Sequence, residues 1–171
     1  REYITDQELY DKIIKRYENR KNNEKLFFMG ITMQNHGGYT ETYDNFPENY
    51  YKVGRSYTDA NQYLSLVHES DEAVKNLISY FSKVDDPVEI IFFGDHQPSL
   101  NSNFYPILNG KGLTGLTEDE LEKLYTVPFF IWTNYDTPEE TVDITSLDYL
   151  STMALERAGI ELPAYNKFLA D

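Results

Sequence analysis

A short apolar run that halts at a glycine and passes at once to an acid and an imidazole constrains this chain more than any other feature. It reads Val88-Glu89-Ile90-Ile91-Phe92-Phe93-Gly94-Asp95-His96-Gln97-Pro98. Runs of β-branched and aromatic residues such as Val88 to Phe93 suit a strand buried on both faces, as in the parallel sheets of α/β proteins. Ligands of such sheets bind beyond the carboxyl ends of the strands. Asp95 and His96 therefore stand where an α/β fold places its chemistry, and both are residue types that ligate divalent metals. On a continuing strand adjacent side chains point to opposite faces. The two can converge on one ion only if the chain leaves the strand here, which Gly94 and Pro98 favour.

Composition narrows the classes of function. The 171 residues suffice for one domain with a substantial core, and 40% of them are hydrophobic, enough to fold. The formal net charge is −14, from 15 basic against 29 acidic residues, so a general binder of nucleic-acid phosphates is excluded. A small anionic substrate is not, because a bound metal ion would dominate its local field. With no cysteine, disulfides, thiolate metal sites and a cysteine nucleophile are ruled out. No apolar run approaches the roughly 20 residues of a membrane span. The chain opens on Arg1 rather than methionine, which reads as a piece of a longer protein.

Along the chain, Thr5-Asp6-Gln7-Glu8 has the pattern of a capping box, and Leu9, Ile13, Ile14 and Tyr17 follow at helical spacing to about Asn19. Leu26 to Met33 reads as a first strand, ending in Gln34-Asn35-His36-Gly37-Gly38-Tyr39. Residues 40–56 form a long loop rich in Tyr, Asn, Glu and Thr. Asp59 to Lys83 is predicted helical, as one helix or two joined near Ser70-Asp71, with Leu64, Val67, Val74, Leu77, Ile78 and Phe81 inward. A second long connection spans 97–116. Thr117-Glu118-Asp119-Glu120 repeats the capping pattern before a short helix to about Tyr125. Val127 to Thr133 is a third strand, and Thr145 to Ala158 a last helix closed by Gly159. The alternation of helix and strand predicts an α/β fold, a mostly parallel sheet flanked by helices, in one domain over 1–171.

Two of the three strand ends carry histidine beside polar groups, at Asn35-His36 and at Asp95-His96; the third ends in Trp132-Thr133-Asn134. In a parallel sheet these ends share an edge, so the histidine sites can face one cleft. Gly37 and Gly38 would let backbone amides approach a phosphate while His36 donates to its oxygen. The competing structural readings are a turn histidine at His36, a turn cap at Asp95 and a hydrogen-bonded strand-end histidine at His96. His68 reads as an ordinary helix residue, Lys52 and Arg55 as surface charges, and Trp132 and Tyr39 as packing residues. Two ligands do not complete a metal site, and no third is evident. No Gly-x-Ser-x-Gly elbow surrounds Ser99 or Ser102, and no phosphate-binding loop is present.

Taken together, Ile31-Thr32-Met33-Gln34-Asn35-His36-Gly37-Gly38-Tyr39, Tyr63-Leu64-Ser65-Leu66, Ser70-Asp71-Glu72-Ala73 and Phe93-Gly94-Asp95-His96-Gln97-Pro98 resemble the lipoteichoic acid synthase branch of the sulfatase and alkaline phosphatase superfamily. These are bacterial phosphoglycerol transferases. The resemblance implies an incomplete, C-terminal portion of an extracellular catalytic domain whose parent is tethered by upstream membrane spans. It implies transfer of glycerol phosphate from phosphatidylglycerol, or another glycerol-phosphate donor, to a cell-surface glycan or teichoic-acid acceptor through a phospho-threonine. Asp95 and His96 would then hold a divalent metal, commonly Mn²⁺, with Mg²⁺ or Zn²⁺ as alternatives. His36, with Asn35 and Tyr39, would contact the substrate. The family's upstream glutamate, nucleophilic threonine and substrate-binding tryptophan and arginine have no counterpart here, which implies a segment inactive on its own. The alternatives are a metal-dependent phosphodiesterase, phosphatase or sulfatase with water as acceptor, and a non-catalytic cell-surface binding module.

Overall fold

The computed structural model describes residues 1–41, 43–46 and 57–170. Lys52, Arg55 and most of the long loop expected at 40–56 lie outside them. The chain divides into two compact units, Arg1–Tyr80 with His96–Thr126, and Phe81–Asp95 with Val127–Asp171.

In the first unit, helix α1 (Asp6–Glu18) starts where the capping pattern predicts. Thr5 is extended and its hydroxyl accepts from the Glu8 amide at 3.2 Å. Asp6 and Glu8 sit at the positive end of the helix dipole, Lys15 and Arg16 at the negative end. Helix α2 (Thr58–Phe81) runs unbroken through Ser70-Asp71. Its continuity has a local cause: the Ser70 hydroxyl donates to the Asp6 carboxylate rather than competing for the helix backbone. The buried face of α2 carries Ala60, Gln62, Ser65, Leu66, Ser70, Ala73, Val74, Leu77 and Phe81, while Val67 faces solvent and Leu66 takes the inward position expected of it. Against α1, the Tyr17 and Tyr80 rings meet edge to face at 6.3 Å, and the Tyr80 hydroxyl donates to Glu18 at 3.2 Å. A short helix, α3 (Tyr105–Asn109), lies within the second connection, and α4 (Glu118–Lys123) follows it. Thr117 and Glu120 form the reciprocal capping box of α4. The sequence pattern did not mark α3.

Leu26 to Met33 is not a strand. The segment pairs with no strand among the described residues, and Phe27 to Met33 are exposed throughout. Gly30 faces α1, where an added Cβ would meet Leu9 at 3.3 Å. The opposite face exposes Phe27 (90%), Met29 (75%) and Ile31 (74%). An apolar pattern of this kind becomes a strand only where a neighbour supplies the ladder.

In the second unit, β1 (Glu89–Phe93) and β2 (Phe129–Thr133) form a two-stranded sheet. The pair is antiparallel, with Glu89 opposite Thr133 and Phe93 opposite Phe129. The parallel arrangement expected of these two strands is thereby corrected. Phe92 and Phe130 stack across the ladder, their centroids 5.3 Å apart, as cross-strand aromatic pairs do. The strands are half-buried rather than buried on both faces, for Ile91 and Phe93 are exposed. Antiparallel pairing also moves Thr133 and Asn134 to the opposite end of the ladder from Gly94. There the Asn134 amide nitrogen donates to the carbonyls of Phe81, Val84 and Asp86, and its oxygen accepts from the Val88 amide at 2.7 Å. This clasp gathers the turn before β1. Helix α5 (Leu147–Arg157), capped by Ser146, and α6 (Ala164–Ala170) complete the unit, with Asn166 donating to Thr152 at 2.9 Å.

Two outcomes follow from these contacts. Asn134→Ala removes four bonds from one turn and should lower stability by about 2 kcal/mol in urea unfolding. Phe27→Ser and Met29→Ser, on the open face, should leave stability within about 0.5 kcal/mol and reduce binding of a hydrophobic dye.

Candidate functional site

The Asn35–Tyr39 turn is held from all sides by polar contacts. The His36 amide donates to the Met33 carbonyl at 3.1 Å, and the Tyr39 hydroxyl donates to the Asn35 carbonyl at 2.6 Å. Tyr39 is itself buried, in edge contact with Tyr63. The His36 ring lies exposed, edge-on to Tyr3 at 5.6 Å, with Nδ1 3.3 Å from the Tyr3 hydroxyl. Beyond it, Gly38 has φ +90°, a conformation L side chains rarely adopt, and at both Gly37 and Gly38 an added Cβ would meet open space. A histidine and two glycines are thus exposed together on one short turn. Asn35, His36 and Tyr39 lie together on this turn.

Arg1 clamps the same turn. Its guanidinium donates to the His36 carbonyl at 2.6 Å, to the Gly38 carbonyl at 3.4 Å and to Gln62 at 3.0 Å. It lies within 6 Å of the ring centroids of Tyr3, Tyr39 and Tyr43. Beneath the turn, Gln34 and Asn35 both donate to the Ser70 hydroxyl, which donates to Asp6. Sequence reasoning missed Arg1, Asp6, Gln34, Gln62 and Ser70. The available signal was polar residues at positions where helix periodicity demands apolar ones, namely Gln62, Ser65 and Ser70 on the inner face of α2.

Asp95 and His96 lie just past β1, where the chain bends out of the strand as expected. Gly94 permits the exit. Its amide donates to the Pro128 carbonyl at 3.1 Å, and an added Cβ would sit 3.0 Å from the Val127 Cβ, too close for a larger residue. Asp95 closes a segment of the second unit and His96 opens one of the first. Both side chains are exposed. His96 Nδ1 lies 2.9 Å from the Gln97 carbonyl, which can only accept, so Nδ1 is the donor in this contact. The Gln97 amide in turn donates to the Thr126 carbonyl. His68, on α2, is half-buried.

A model of the sulfatase family matches residues 1–160. The chain belongs to the sulfatase family. Among curated proteins, it is 28% identical to a protein of Rhizobium meliloti (strain 1021) provisionally named for cyclic beta-1,2-glucan modification. That match covers 98% of this chain and 27% of the relative. It is also 33% identical over 100 residues to the capsular polysaccharide biosynthesis protein RkpI of the same organism, covering 58% of this chain and 17% of the relative. Its fold is similar to that of the Streptococcus pyogenes phosphoglycerol transferase GacH, solved in complex with sn-glycerol-1-phosphate. There the TM-score is 0.71 and the identity 21%, over 97% of this chain and 40% of that one. The sulfatase-family chain thus spans about a quarter or less of the curated relatives it matches. The expected α/β class of the sulfatase and alkaline phosphatase superfamily is borne out.

Enzymes of this superfamily generally use divalent metals. Among the described residues, no group of three or more His, Cys, Asp or Glu side chains gathers to hold one. The donor set at Asp95 and His96, one carboxylate and one imidazole, suits a divalent ion in chemistry but is smaller than such ions require. It fits as part of a site. No helix of the described residues is long and apolar enough to cross a membrane.

The buried carboxyl under the turn has a measurable consequence. Burial raises the Asp6 pKa, against hydrogen bonds from Ser70, Thr32 and Gln34 that lower it. The neighbouring Tyr10 phenol is pushed up to about 12 by burial and by the Asp6 charge. A carboxyl with a raised native pKa binds more protons folded than unfolded, so its contribution to stability falls as pH rises through that window. The urea midpoint of Asp6→Asn relative to wild type should therefore climb as pH rises from about 4, the ordinary carboxylate range, through the raised native pKa.

Proposed function

We propose that this chain is a C-terminal portion of the catalytic domain of a metal-dependent transferase that moves glycerol phosphate onto a cell-surface glycan. The observation that carries the reading is the bend after β1. It sets Asp95 beside a His96 whose Nδ1 is tied to a backbone carbonyl, in a chain whose sulfatase-family match runs through both residues. The donor follows from the similarity to GacH and its sn-glycerol-1-phosphate. The acceptor class follows from the relatives, one named for glucan modification and one for capsular polysaccharide synthesis. These names support a glycan over a teichoic acid, and in this reading the reaction runs on the extracellular face of a bacterial membrane. Phosphatidylglycerol is the simplest donor of this chemistry.

In this reading Asp95 supplies a carboxylate oxygen and His96 its Nε2 to a divalent ion, Mn²⁺ in the first instance. Bound there, the ion offsets charge on the phosphoryl oxygens that this acidic chain does not offset by itself. The His36 ring and the Gly37 and Gly38 amides, outward on their turn, donate to the phosphate of the glycerol phosphate. Tyr39 and Asn35 hold the turn. The attacking group and the remaining metal ligands come from sequence N-terminal to Arg1, consistent with the share of its relatives that this chain spans. The 171-residue chain alone is accordingly inactive.

The decisive measurement is release of diacylglycerol from phosphatidylglycerol by the full-length protein with Mn²⁺, with and without a glycan acceptor. Asp95→Ala and His96→Ala should each lower turnover by about a hundredfold or more while leaving the melting temperature in place. Turnover that survives both substitutions defeats the metal assignment. Release that ignores added glycan, with free glycerol phosphate as the product, makes the protein a hydrolase instead.

A further inference from the structure

Asp6 and Ser70 lie outside the chemistry just described, yet both are buried and both point at the turn that bears His36. We infer that they are positioning residues: the Ser70 hydroxyl, oriented by the Asp6 carboxylate, fixes the Asn35 amide and with it the direction in which His36 is presented. The inference deepens the proposed function and rests on His36 touching the glycerol phosphate.

The geometry is a relay that is saturated at the Ser70 hydroxyl. Asp6 is 2%, Ser70 6% and Gln34 7% exposed. Ser70 Oγ donates its one proton to Asp6 Oδ2 at 2.5 Å. Its lone pairs accept from Asn35 Nδ2 at 2.9 Å and Gln34 Nε2 at 3.2 Å, which is all a hydroxyl can do. The Gln34 oxygen accepts from the Asp6 amide at 3.1 Å and closes the ring. Asn35 Oδ1 is buried without a hydrogen-bond partner among the described residues, so the amide's orientation hangs on Ser70. From Asn35 the path to His36 is one peptide bond.

Helix capping does not account for Asp6. Thr5 already caps α1 through the Glu8 amide, and an acid in the first turn can face water and still favour the helix dipole. The carboxylate is instead taken out of water, 64 residues along the chain from its partner. Packing does not account for it either, since apolar residues of similar size fill such a space at least as stably. What buried hydrogen bonds converging on one hydroxyl add is a set orientation of the groups they join.

The test follows the His36 imidazole in the ¹⁵N-labelled chain, assigned with His68→Gln and His96→Gln. Ser70→Ala should shift or broaden the His36 ring signal and speed exchange of the His36 amide at least about tenfold, while β1 and β2 amides exchange at wild-type rates. Ser70→Thr, which keeps the hydroxyl, should restore both. Asp6→Asn, which keeps an acceptor oxygen, should fall between. A wild-type His36 signature in Ser70→Ala overturns the inference. Should that variant not fold, an unchanged His36 signature in Asp6→Asn overturns it equally. In the full-length protein, Ser70→Ala should raise KM for the glycerol-phosphate donor at least about fivefold more than it lowers kcat. If the His36 signature changes as stated but the wild-type protein neither binds sn-glycerol-1-phosphate nor turns over phosphatidylglycerol, the positioning role stands and the proposed function falls.

Discussion

Buried backbone and side-chain polar groups must find partners, and in this chain side-chain amides provide many of the partners that a larger sheet would otherwise provide. Asn134 alone serves three carbonyls and one amide around the turn before β1. Gln62 links the Glu41 carbonyl to Arg1, and Gln34 joins the start of α1 to α2. Amides suit this work because each carries two donors and an acceptor in fixed geometry. Segments with no regular structure are thereby set in one conformation, and the turn that carries His36 is the most heavily tied of them.

The same constraint shapes the electrostatics. The chain is strongly acidic, yet Arg1 is drawn against the His36 turn by carbonyls and aromatic rings, and the charge of Asp6 is withdrawn from the surface. What the turn exposes is an imidazole and two glycines. At the other site a carboxylate and an imidazole lie exposed past β1. An anionic phosphate and a metal cation are the natural complements of these two surfaces, which is why the sulfatase-family membership and the local chemistry support one reading.

Helices α1, α4 and α5 were legible because their signals are local, whereas α3 and α6 were not marked. Thr5, Thr117 and Ser146 each accept from an amide two or three residues on, an interaction independent of the rest of the fold. The bend at Asp95–His96 was legible because Gly94 and Pro98 bracket it. Strand pairing was not. Val88 to Phe93 and Val127 to Thr133 show the same apolar composition whether they run parallel or antiparallel, and only the ladder from Glu89–Thr133 to Phe93–Phe129 decides. Leu26 to Met33 carries a strand's apolar composition but lacks a ladder among the described residues. On α2 the choice of Leu66 over Val67 turns on about a hundred degrees of helix rotation, less than the expected pattern resolved.

By itself the sequence determined the helix starts, the exit from β1 at Gly94, and the grouping of Asn35, His36 and Tyr39 on one turn, because each depends on residues a few positions apart. The tertiary structure decided what holds that turn: Ser70 and Asp6 meet across 64 positions, and Arg1 reaches His36 across 35. Such contacts arise from how α1 and α2 pack, and hydrogen bonding between distant polar groups leaves no periodic trace in a sequence from which it could be read.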